Sequence, residues 1–209
     1  MTLLRWIRRG AWVGVAVLGF LLLATAGGWF VTDGPLARRP AATGPAGLAI
    51  GGPFSLTDHR GRAVTERDFA GKPMAVFFGF TSCPDVCPTT LNDMAGWMEA
   101  LGPGADRINW LFVSVDGGRD TPRTMADYLV PFDPRIVGLS GSEEQVAAAA
   151  RSYRVFYRRV PTGDGGYTMD HSASVFLLDA AGRFAGTIDH EESRETALQK
   201  LRLLLAPRA

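Results

Sequence analysis

The stretch MAVFFGFTSCPDVCPTTL, residues 74–91, joins a strand signal to a helix signal and carries both cysteines of the chain. Residues 74–80 are a continuous apolar run, typical of a strand in the middle of a sheet that is covered on both faces. A proline suits the first helical position and apolar residues then recur at helical spacing, so the sequence predicts a helix over residues 88–101. Cys83 and Cys87 therefore lie at a strand-to-helix corner, near the positive end of the helix dipole, where thiolates are favoured.

Strand and helix signals alternate along the rest of the chain. A hairpin precedes the cysteine stretch, strands and helices alternate after it, and a second hairpin with an amphipathic helix closes the chain. This order predicts an α/β fold of the thioredoxin-like sandwich type. The predicted strands cover residues 54–65 as a hairpin, 108–116, 136–140, 172–179 and 182–189, and the further helices cover residues 121–130, 142–155 and 193–205.

The N-terminal region predicts a membrane anchor. Residues 10–31 contain no charged residue and follow three arginines, which favours a transmembrane helix with residues 1–9 in the cytoplasm. A cleaved signal peptide is the alternative, because residues 24–26 (ATA) resemble a cleavage site, but the apolar run continues beyond them. The expected organisation continues with a flexible linker over residues 32–47 and a folded domain over residues 48–209, held at a bacterial inner membrane with the domain in the periplasm.

The net charge argues against a nucleic-acid partner. The formal net charge is +1, and residues 1–32 contribute three arginines and no acid. The remainder of the chain therefore has a net charge of −2. A nucleic-acid-binding domain usually presents a basic face, so no nucleic acid is expected as a partner.

The cysteine pair is compatible with three kinds of chemistry. A structural disulfide would close a loop of about five residues and add roughly 2 kcal/mol, which a domain of this length does not need. Dithiol redox chemistry stays open, although three residues separate the cysteines where the thioredoxin motif has two. A metal site also stays open, since two thiolates select soft ions such as Cu(I) or Zn(II) but leave the ion in need of a third donor.

Three histidines are available as that third donor. His59 falls in the turn of the first hairpin and His190 stands before a helix, so both are expected to be exposed loop residues. His171 stands just before an apolar strand, and in a thioredoxin-like sheet this position lies beside the corner with Cys83 and Cys87. Position alone leaves open whether His171 is functional or only a hydrogen-bonded part of the structure.

Three separated blocks carry a resemblance to a known family. FFGFTSCPDVCPTTL (77–91), SVDGGRDTP (114–122) and YTMDHSASVFLLD (167–179) together resemble the Sco (SenC) family of membrane-anchored copper chaperones, which have a thioredoxin-like fold. The resemblance covers about residues 48–206. The three blocks are specific in combination, whereas the five-residue cysteine motif alone is not.

The resemblance implies a ligand set and a cargo. It implies copper bound by Cys83, Cys87 and His171, with the two thiolates holding Cu(I) and the imidazole helping to hold Cu(II). Asp170 is a candidate for orienting the imidazole ring. The resemblance also implies delivery of the copper to the binuclear copper site of cytochrome c oxidase during assembly. The partners would be the copper-site subunit of that oxidase, an upstream copper donor and a protein that reduces the cysteine pair.

The sequence departs from the family pattern in one loop. Gly117 and Gly118 stand where relatives commonly have proline and glutamate, which predicts a more flexible loop and puts in doubt any partner contact made there.

Two enzymatic alternatives remain beside the chaperone. A thiol-disulfide oxidoreductase that reduces cysteines of the copper-site protein would use Cys83 and Cys87 and would not need His171. A peroxiredoxin-like peroxidase is disfavoured, because such enzymes place a threonine three residues before the attacking cysteine, and Ser82 and Thr81 lie one and two residues before Cys83. The resemblance therefore implies a metallochaperone, with a thiol-disulfide oxidoreductase as the alternative.

Overall fold

The strands of the computed structural model, which describes residues 50–163 and 165–206, follow the predicted order with one addition. They are β1 (Ser55–Asp58), β2 (Ala63–Thr65), β3 (Met74–Gly79), β4 (Asn109–Ser114), β5 (Ile136–Ser140), β6 (Tyr157–Pro161), β7 (Tyr167–His171), β8 (Val175–Leu178) and β9 (Phe184–Ile188). The pair β6 and β7 is the addition, because the sequence pattern indicated no strands there.

Seven of these strands form one mixed sheet in the order β2-β1-β5-β4-β3-β8-β9. Strands β3, β4 and β5 run parallel to one another, while β1 and β8 pair antiparallel with β5 and β3. Every residue of β3 is buried, as the continuous apolar run over residues 74–80 predicts. The loop with the two cysteines therefore follows a fully buried strand.

Four α-helices surround the sheet in the described part of the chain. They are α1 (Val86–Leu101), α2 (Pro122–Leu129), α3 (Glu143–Tyr153) and α4 (Arg194–Leu205). Thr121, Ser142 and Ser193 precede α2, α3 and α4, and each side-chain oxygen accepts a hydrogen bond from a backbone N–H of the first turn. Helix α1 packs against α4.

Helix α1 begins two residues earlier than the sequence predicts. It starts at Val86, so Cys87 is its second residue and Pro88 its third. Proline is tolerated in the first turn because the N–H that it lacks would have no partner within the helix. The two cysteines therefore differ, since Cys83 precedes the helix and Cys87 belongs to it.

Strands β6 and β7 form a separate two-stranded antiparallel sheet in which Tyr157 pairs with His171. The burial of β6 does not alternate in the way of a strand with one face in the core, and most of its residues are exposed. The hydrophobic pattern consequently gives no signal for this strand. The hairpin places His171 at its end, directly before β8.

The predicted membrane-spanning segment, residues 10–31, lies outside the described residues, as do the predicted cytoplasmic residues 1–9 and the linker over residues 32–47. Within the described ranges, no helix has the length and apolar character needed to cross a membrane.

Candidate metal centre

Cys87 is held against the sheet by close packing at the end of β3. Its side chain is fully buried, and an ideal Cβ placed on Gly79 would lie only 2.8 Å from Cys87 Sγ and 2.8 Å from the Phe112 ring. Real Cβ atoms do not approach other atoms that closely, so only glycine lets the start of α1 come this near to β3. A glycine inside a strand pattern is the sequence signal for such an approach.

Cys83 lies in the loop between β3 and α1 and is partly exposed. Its backbone N–H donates to the carbonyl of Phe80 at 3.3 Å, and its Sγ accepts a hydrogen bond from the backbone N–H of Cys87 at 3.4 Å. That N–H belongs to the first turn of α1 and has no acceptor within the helix. The sulfur of Cys83 therefore occupies the anion-favouring end of α1.

The two thiols have very different acidities. A hydrogen bond from the Cys87 thiol, with further ones from backbone N–H groups, lowers the pKa of Cys83 to about 4, although its partial burial acts in the opposite direction. The same thiol-to-thiol hydrogen bond, together with burial, raises the pKa of Cys87. At neutral pH without metal, the pair is therefore a thiolate on the accessible sulfur that is stabilised by a thiol on the buried one.

His171 brings an imidazole nitrogen to this pair. Its Nε2 lies 3.5 Å from Cys87 Sγ, and its Nδ1 lies 2.9 Å from the carbonyl oxygen of Ser172. The edge-to-face contact with the Phe80 ring, whose centroid lies 5.7 Å away, further fixes the plane of the imidazole. When Nδ1 carries the proton and donates to Ser172, Nε2 presents a lone pair towards the sulfurs, which is the tautomer that a metal ligand needs.

The ligand atoms of Cys83, Cys87 and His171 all lie within 4.8 Å of one another. Metal–sulfur and metal–nitrogen bonds are about 2.3 Å and about 2.0 Å long, so one ion can reach all three. Two sulfurs and an imidazole nitrogen form a donor set suited to copper or zinc and unsuited to magnesium or calcium.

The other two histidines take no part in this group. His59 Nδ1 accepts a hydrogen bond from the backbone N–H of Gly138 at 3.1 Å, so it connects the first hairpin to β5 and is only partly exposed, whereas an exposed loop residue was expected. His190 is exposed, as expected, and its Nδ1 lies 3.4 Å from the Thr90 hydroxyl.

Asp170 was expected to orient the imidazole, but its carboxylate bonds to a different residue. Its carboxylate accepts from Arg158 Nε across the hairpin at 3.0 Å, and both side chains are largely exposed. Adjacent residues of a strand point to opposite faces, so Asp170 and His171 diverge. The group that contacts His171 Nδ1 is the Ser172 carbonyl.

The loop with Gly117 and Gly118 is closely packed, whereas the sequence predicted a more flexible loop. The glycines are needed for this packing. A Cβ on Gly117 would lie 2.8 Å from the Gly141 carbonyl oxygen and 2.9 Å from the backbone nitrogen of Glu143. The absence of a side chain lets this loop approach the start of α3.

Two residues near the centre were not identified from the sequence. Asp120 is 2% exposed and accepts hydrogen bonds from the backbone and hydroxyl of Thr81, two residues before Cys83. Tyr128 has a buried hydroxyl without a hydrogen-bond partner among the described residues, and burial, followed by nearby negative charge, raises its pKa. The SVDGGRDTP block contains Asp120 but does not indicate its contact, and Tyr128 has no sequence signal.

Comparisons with known proteins identify related chains. The SCO1/SenC family model matches residues 42–206. The bovine mitochondrial SCO2 homolog is 40% identical over 173 residues, which are 81% of this chain and 63% of that protein. Protein SenC of Rhodobacter capsulatus is 37% identical over 153 residues, covering 73% of this chain and 69% of its own length.

A solved structure extends the comparison to the fold. ScoI of Bradyrhizobium japonicum, solved with copper bound, is 49% identical and superposes with a TM-score of 0.70 over 75% of this chain and 99% of its own. The predicted thioredoxin-like α/β fold is thereby confirmed. The matched region spans only 63% of the bovine SCO2 homolog and 52% of yeast SCO2, so it is less than two thirds of those proteins. By sequence, fold and the match over residues 42–206, the chain belongs to the SCO1/SenC family.

Proposed function

We propose that this chain is a copper chaperone that holds copper through Cys83, Cys87 and His171 and delivers it to the binuclear copper site of cytochrome c oxidase during assembly. The observation that carries the proposal is the convergence of these three donors within 4.8 Å. Its support from relatives is the 49% identity to a ScoI that was solved with copper bound.

The donor set explains how both oxidation states of copper would be held. Thiolates are soft donors and favour Cu(I), whereas an imidazole also suits Cu(II). Binding needs the thiolates, and the Cys87 proton is therefore released as the metal enters. The Cys83 sulfur needs no such release at neutral pH, because its pKa is lowered to about 4.

The unequal exposure of the two sulfurs gives the transfer a direction. Cys83 is partly exposed and Cys87 is fully buried. A ligand from an acceptor protein can approach the copper from the Cys83 side, and exchange of donors there moves the ion without any net oxidation or reduction. Cys87 would be the last ligand to release it.

The redox state of the pair would control loading. A disulfide between Cys83 and Cys87 has no thiolates to offer, so the oxidised chain cannot bind copper through sulfur. In an oxidising compartment the chain then needs a thiol-reducing partner as well as an upstream copper donor. The copper-site subunit of the oxidase would be the acceptor.

The proposed location is a bacterial inner membrane, with one N-terminal span and the folded domain in the periplasm. Its support is the uncharged run over residues 10–31 after three arginines. Anchoring would keep donor and acceptor at the same membrane surface.

A thiol-disulfide oxidoreductase is the second candidate, and the unequal acidity of Cys83 and Cys87 favours it. The Cys83 thiolate would attack a disulfide of the target, and the Cys87 thiolate would then attack the mixed disulfide after losing its proton. The pair would give up two electrons and become a disulfide, and the target would gain two thiols. His171 is not needed for this exchange.

Complementation in cells separates the two candidates. A host that lacks the chain would receive the parent, His171→Ala or Cys83→Ser, and the copper content and activity of its purified cytochrome c oxidase would be measured. Chaperone function predicts that both variants fail to restore the copper. Full restoration by His171→Ala, with failure of Cys83→Ser, would establish the oxidoreductase instead.

A further inference from the structure

A buried carboxylate lies behind the cysteine loop. Asp120 is 2% exposed and stands between the end of β4 and the start of α2. Its Oδ2 accepts from the Thr81 backbone N–H at 3.0 Å and from the Ser114 hydroxyl at 2.6 Å, and its Oδ1 accepts from the Thr81 hydroxyl at 2.6 Å. Two of its three hydrogen bonds therefore go to one residue of the cysteine loop.

Asp120 differs from the other buried aspartates in having no cationic partner. Asp58, Asp116 and Asp179 are each paired with an arginine that is three or four residues away in sequence. Within residues 50–163 and 165–206, no arginine, lysine or histidine forms an ion pair with Asp120. A buried carboxylate is costly unless hydrogen bonds satisfy it, so the contacts to Thr81 and Ser114 are what stabilise it there.

Thr81 connects this carboxylate to all three ligands. It follows Phe80, whose carbonyl accepts the Cys83 N–H and whose ring meets the His171 ring edge to face. It also follows Gly79, which packs against the Cys87 sulfur. A displacement of Thr81 would therefore move the loop on which the geometry of the whole donor set depends.

We propose that Asp120 is a positioning residue for the metal centre, which fixes Thr81 and through it the placement of Cys83 and His171 without touching the metal. The inference rests on the proposed function, because it assigns Asp120 a part in holding the same copper. Partners that orient metal ligands from outside the ligand set typically change metal affinity about 10- to 100-fold when they are removed.

The test compares copper binding by the reduced, purified full chain and its variants, using competition with a chromophoric Cu(I) chelator and the visible spectrum after addition of Cu(II). Asp120→Ala should lower Cu(I) affinity about 10- to 100-fold and alter the Cu(II) spectrum. Asp120→Asn should recover most of both, because its amide oxygen can accept from the Thr81 N–H and its amide nitrogen can donate to the Thr81 hydroxyl.

Asp58→Ala is the matched control, because it also removes a buried aspartate that holds a loop, in this case the turn of the first hairpin. Asp58 is fully buried and accepts from Arg60 and Arg62 in the first hairpin. This variant should unfold more easily yet keep the copper affinity and the spectrum of the parent. An equal loss of affinity in Asp58→Ala and Asp120→Ala would overturn the inference, since general destabilisation would then explain both.

A second pair of variants covers the case in which Asp120→Ala does not fold. Thr81→Val removes the hydroxyl contact and keeps the backbone one, so affinity should fall in the same direction by less, and Thr81→Ser should restore it. Parent affinity and spectrum in Asp120→Ala, or in Thr81→Val if only that variant folds, would overturn the inference and leave the proposed function standing. A parent chain that retains no copper would instead overturn the proposed function.

Discussion

The thiols and the imidazole reach the metal centre from regions that are held in different ways. The cysteine corner follows a fully buried strand, and the Cys87 sulfur packs so tightly that Gly79 has no room for a side chain. The β6–β7 hairpin with His171 lies outside the main sheet. Arg119 helps to hold it, by donating to the Tyr167 carbonyl at 2.9 Å and stacking on the Tyr167 ring at 3.8 Å.

Because the two regions are held differently, they should respond to different kinds of substitution. The position of the buried sulfur depends on apolar packing, so changes in volume should disturb it. The position of the hairpin that carries the imidazole depends on hydrogen bonds and on a stacked guanidinium, so changes in polar groups should disturb it. A variant that disturbs one region and leaves the other intact would confirm this separation, and a variant that disturbs both would show that the two regions are not independent.

The largest effect is expected for loss of a thiol ligand. Cys83→Ser or Cys87→Ser should weaken Cu(I) binding by more than the roughly 10- to 100-fold that loss of an outer partner costs, because a hydroxyl is a poor ligand for a soft ion. Chelator competition on the reduced full chain measures this. Parent affinity in either variant would contradict the proposed ligand set.

The acidity of Cys83 should be visible in its chemical reactivity. With its pKa near 4, the metal-free reduced chain should react with iodoacetamide at Cys83 even at pH 5 to 6, where an ordinary thiol with a pKa of about 8.5 is nearly inert. Cys87→Ala should raise that pKa and suppress the reaction at low pH. The rate at each pH is followed by mass spectrometry of the peptide containing residues 83–87. A parent profile centred near pH 8.5 would disprove the thiol-to-thiol contact.

The same lowered pKa predicts a dependence of stability on pH. A thiol whose pKa is lower in the folded state stabilises the fold fully above its ordinary value of about 8.5, and this contribution is lost as the pH falls towards 4. When the free energy of unfolding is measured across this window, it should decrease less with falling pH for Cys83→Ser than for the parent. Identical curves would contradict the assignment.

Loss of the imidazole should separate the two oxidation states of copper. His171→Ala keeps both thiols, so Cu(I) binding should weaken at least about tenfold but by less than in the cysteine variants. Cu(II) binding should be lost more completely, as judged from the visible spectrum. Equal retention of Cu(II) by the parent and this variant would remove His171 from the ligand set.

A side chain added at the corner should act through packing. Gly79→Ala should reduce the free energy of unfolding by about 1 to 3 kcal/mol, because its Cβ would collide with Cys87 Sγ and the Phe112 ring. Gly96→Ala in α1 is the matched control, since its Cβ would meet nothing closer than 4.0 Å and alanine favours a helix interior by about 0.5 to 1 kcal/mol. Chemical denaturation should show a lower free energy of unfolding for Gly79→Ala and a higher one for Gly96→Ala. An unchanged free energy of unfolding in Gly79→Ala would refute the expected clash.

The smallest effect is expected at Asp170. Its exposed pair with Arg158 should contribute about 0 to 1 kcal/mol to the free energy of unfolding, and its carboxylate does not contact the imidazole. Asp170→Asn should therefore bind copper within about a factor of two of the parent. A much larger loss would show that the carboxylate acts on His171 after all.

The comparison of the two regions also marks what the sequence could predict. The corner was predictable, because an apolar run over residues 74–80 and a helical pattern after Pro88 are local signals. The hairpin was not, because most of β6 is exposed and its residues lack an alternating apolar pattern. The expected contact between Asp170 and His171 is absent for the same reason. Neighbouring residues of a strand point to opposite faces, and the sequence did not indicate a strand there.

Contacts between distant parts of the chain were beyond the sequence as well. Thr81 and Asp120 are 39 residues apart, and neither shows by its type that they are hydrogen-bonded. The packing of Gly117 against the start of α3 also depends on the tertiary arrangement, and the sequence suggested only flexibility.

Copper stoichiometry tests the central claim most directly. The reduced full chain would be loaded with copper, separated from free metal by gel filtration and measured for copper and protein, in parallel with a chain whose Cys83 and Cys87 have been oxidised to a disulfide. The proposed site predicts one copper for each reduced chain and almost none for the oxidised chain. A reduced chain that retains no copper, or an oxidised chain that retains as much, would contradict it.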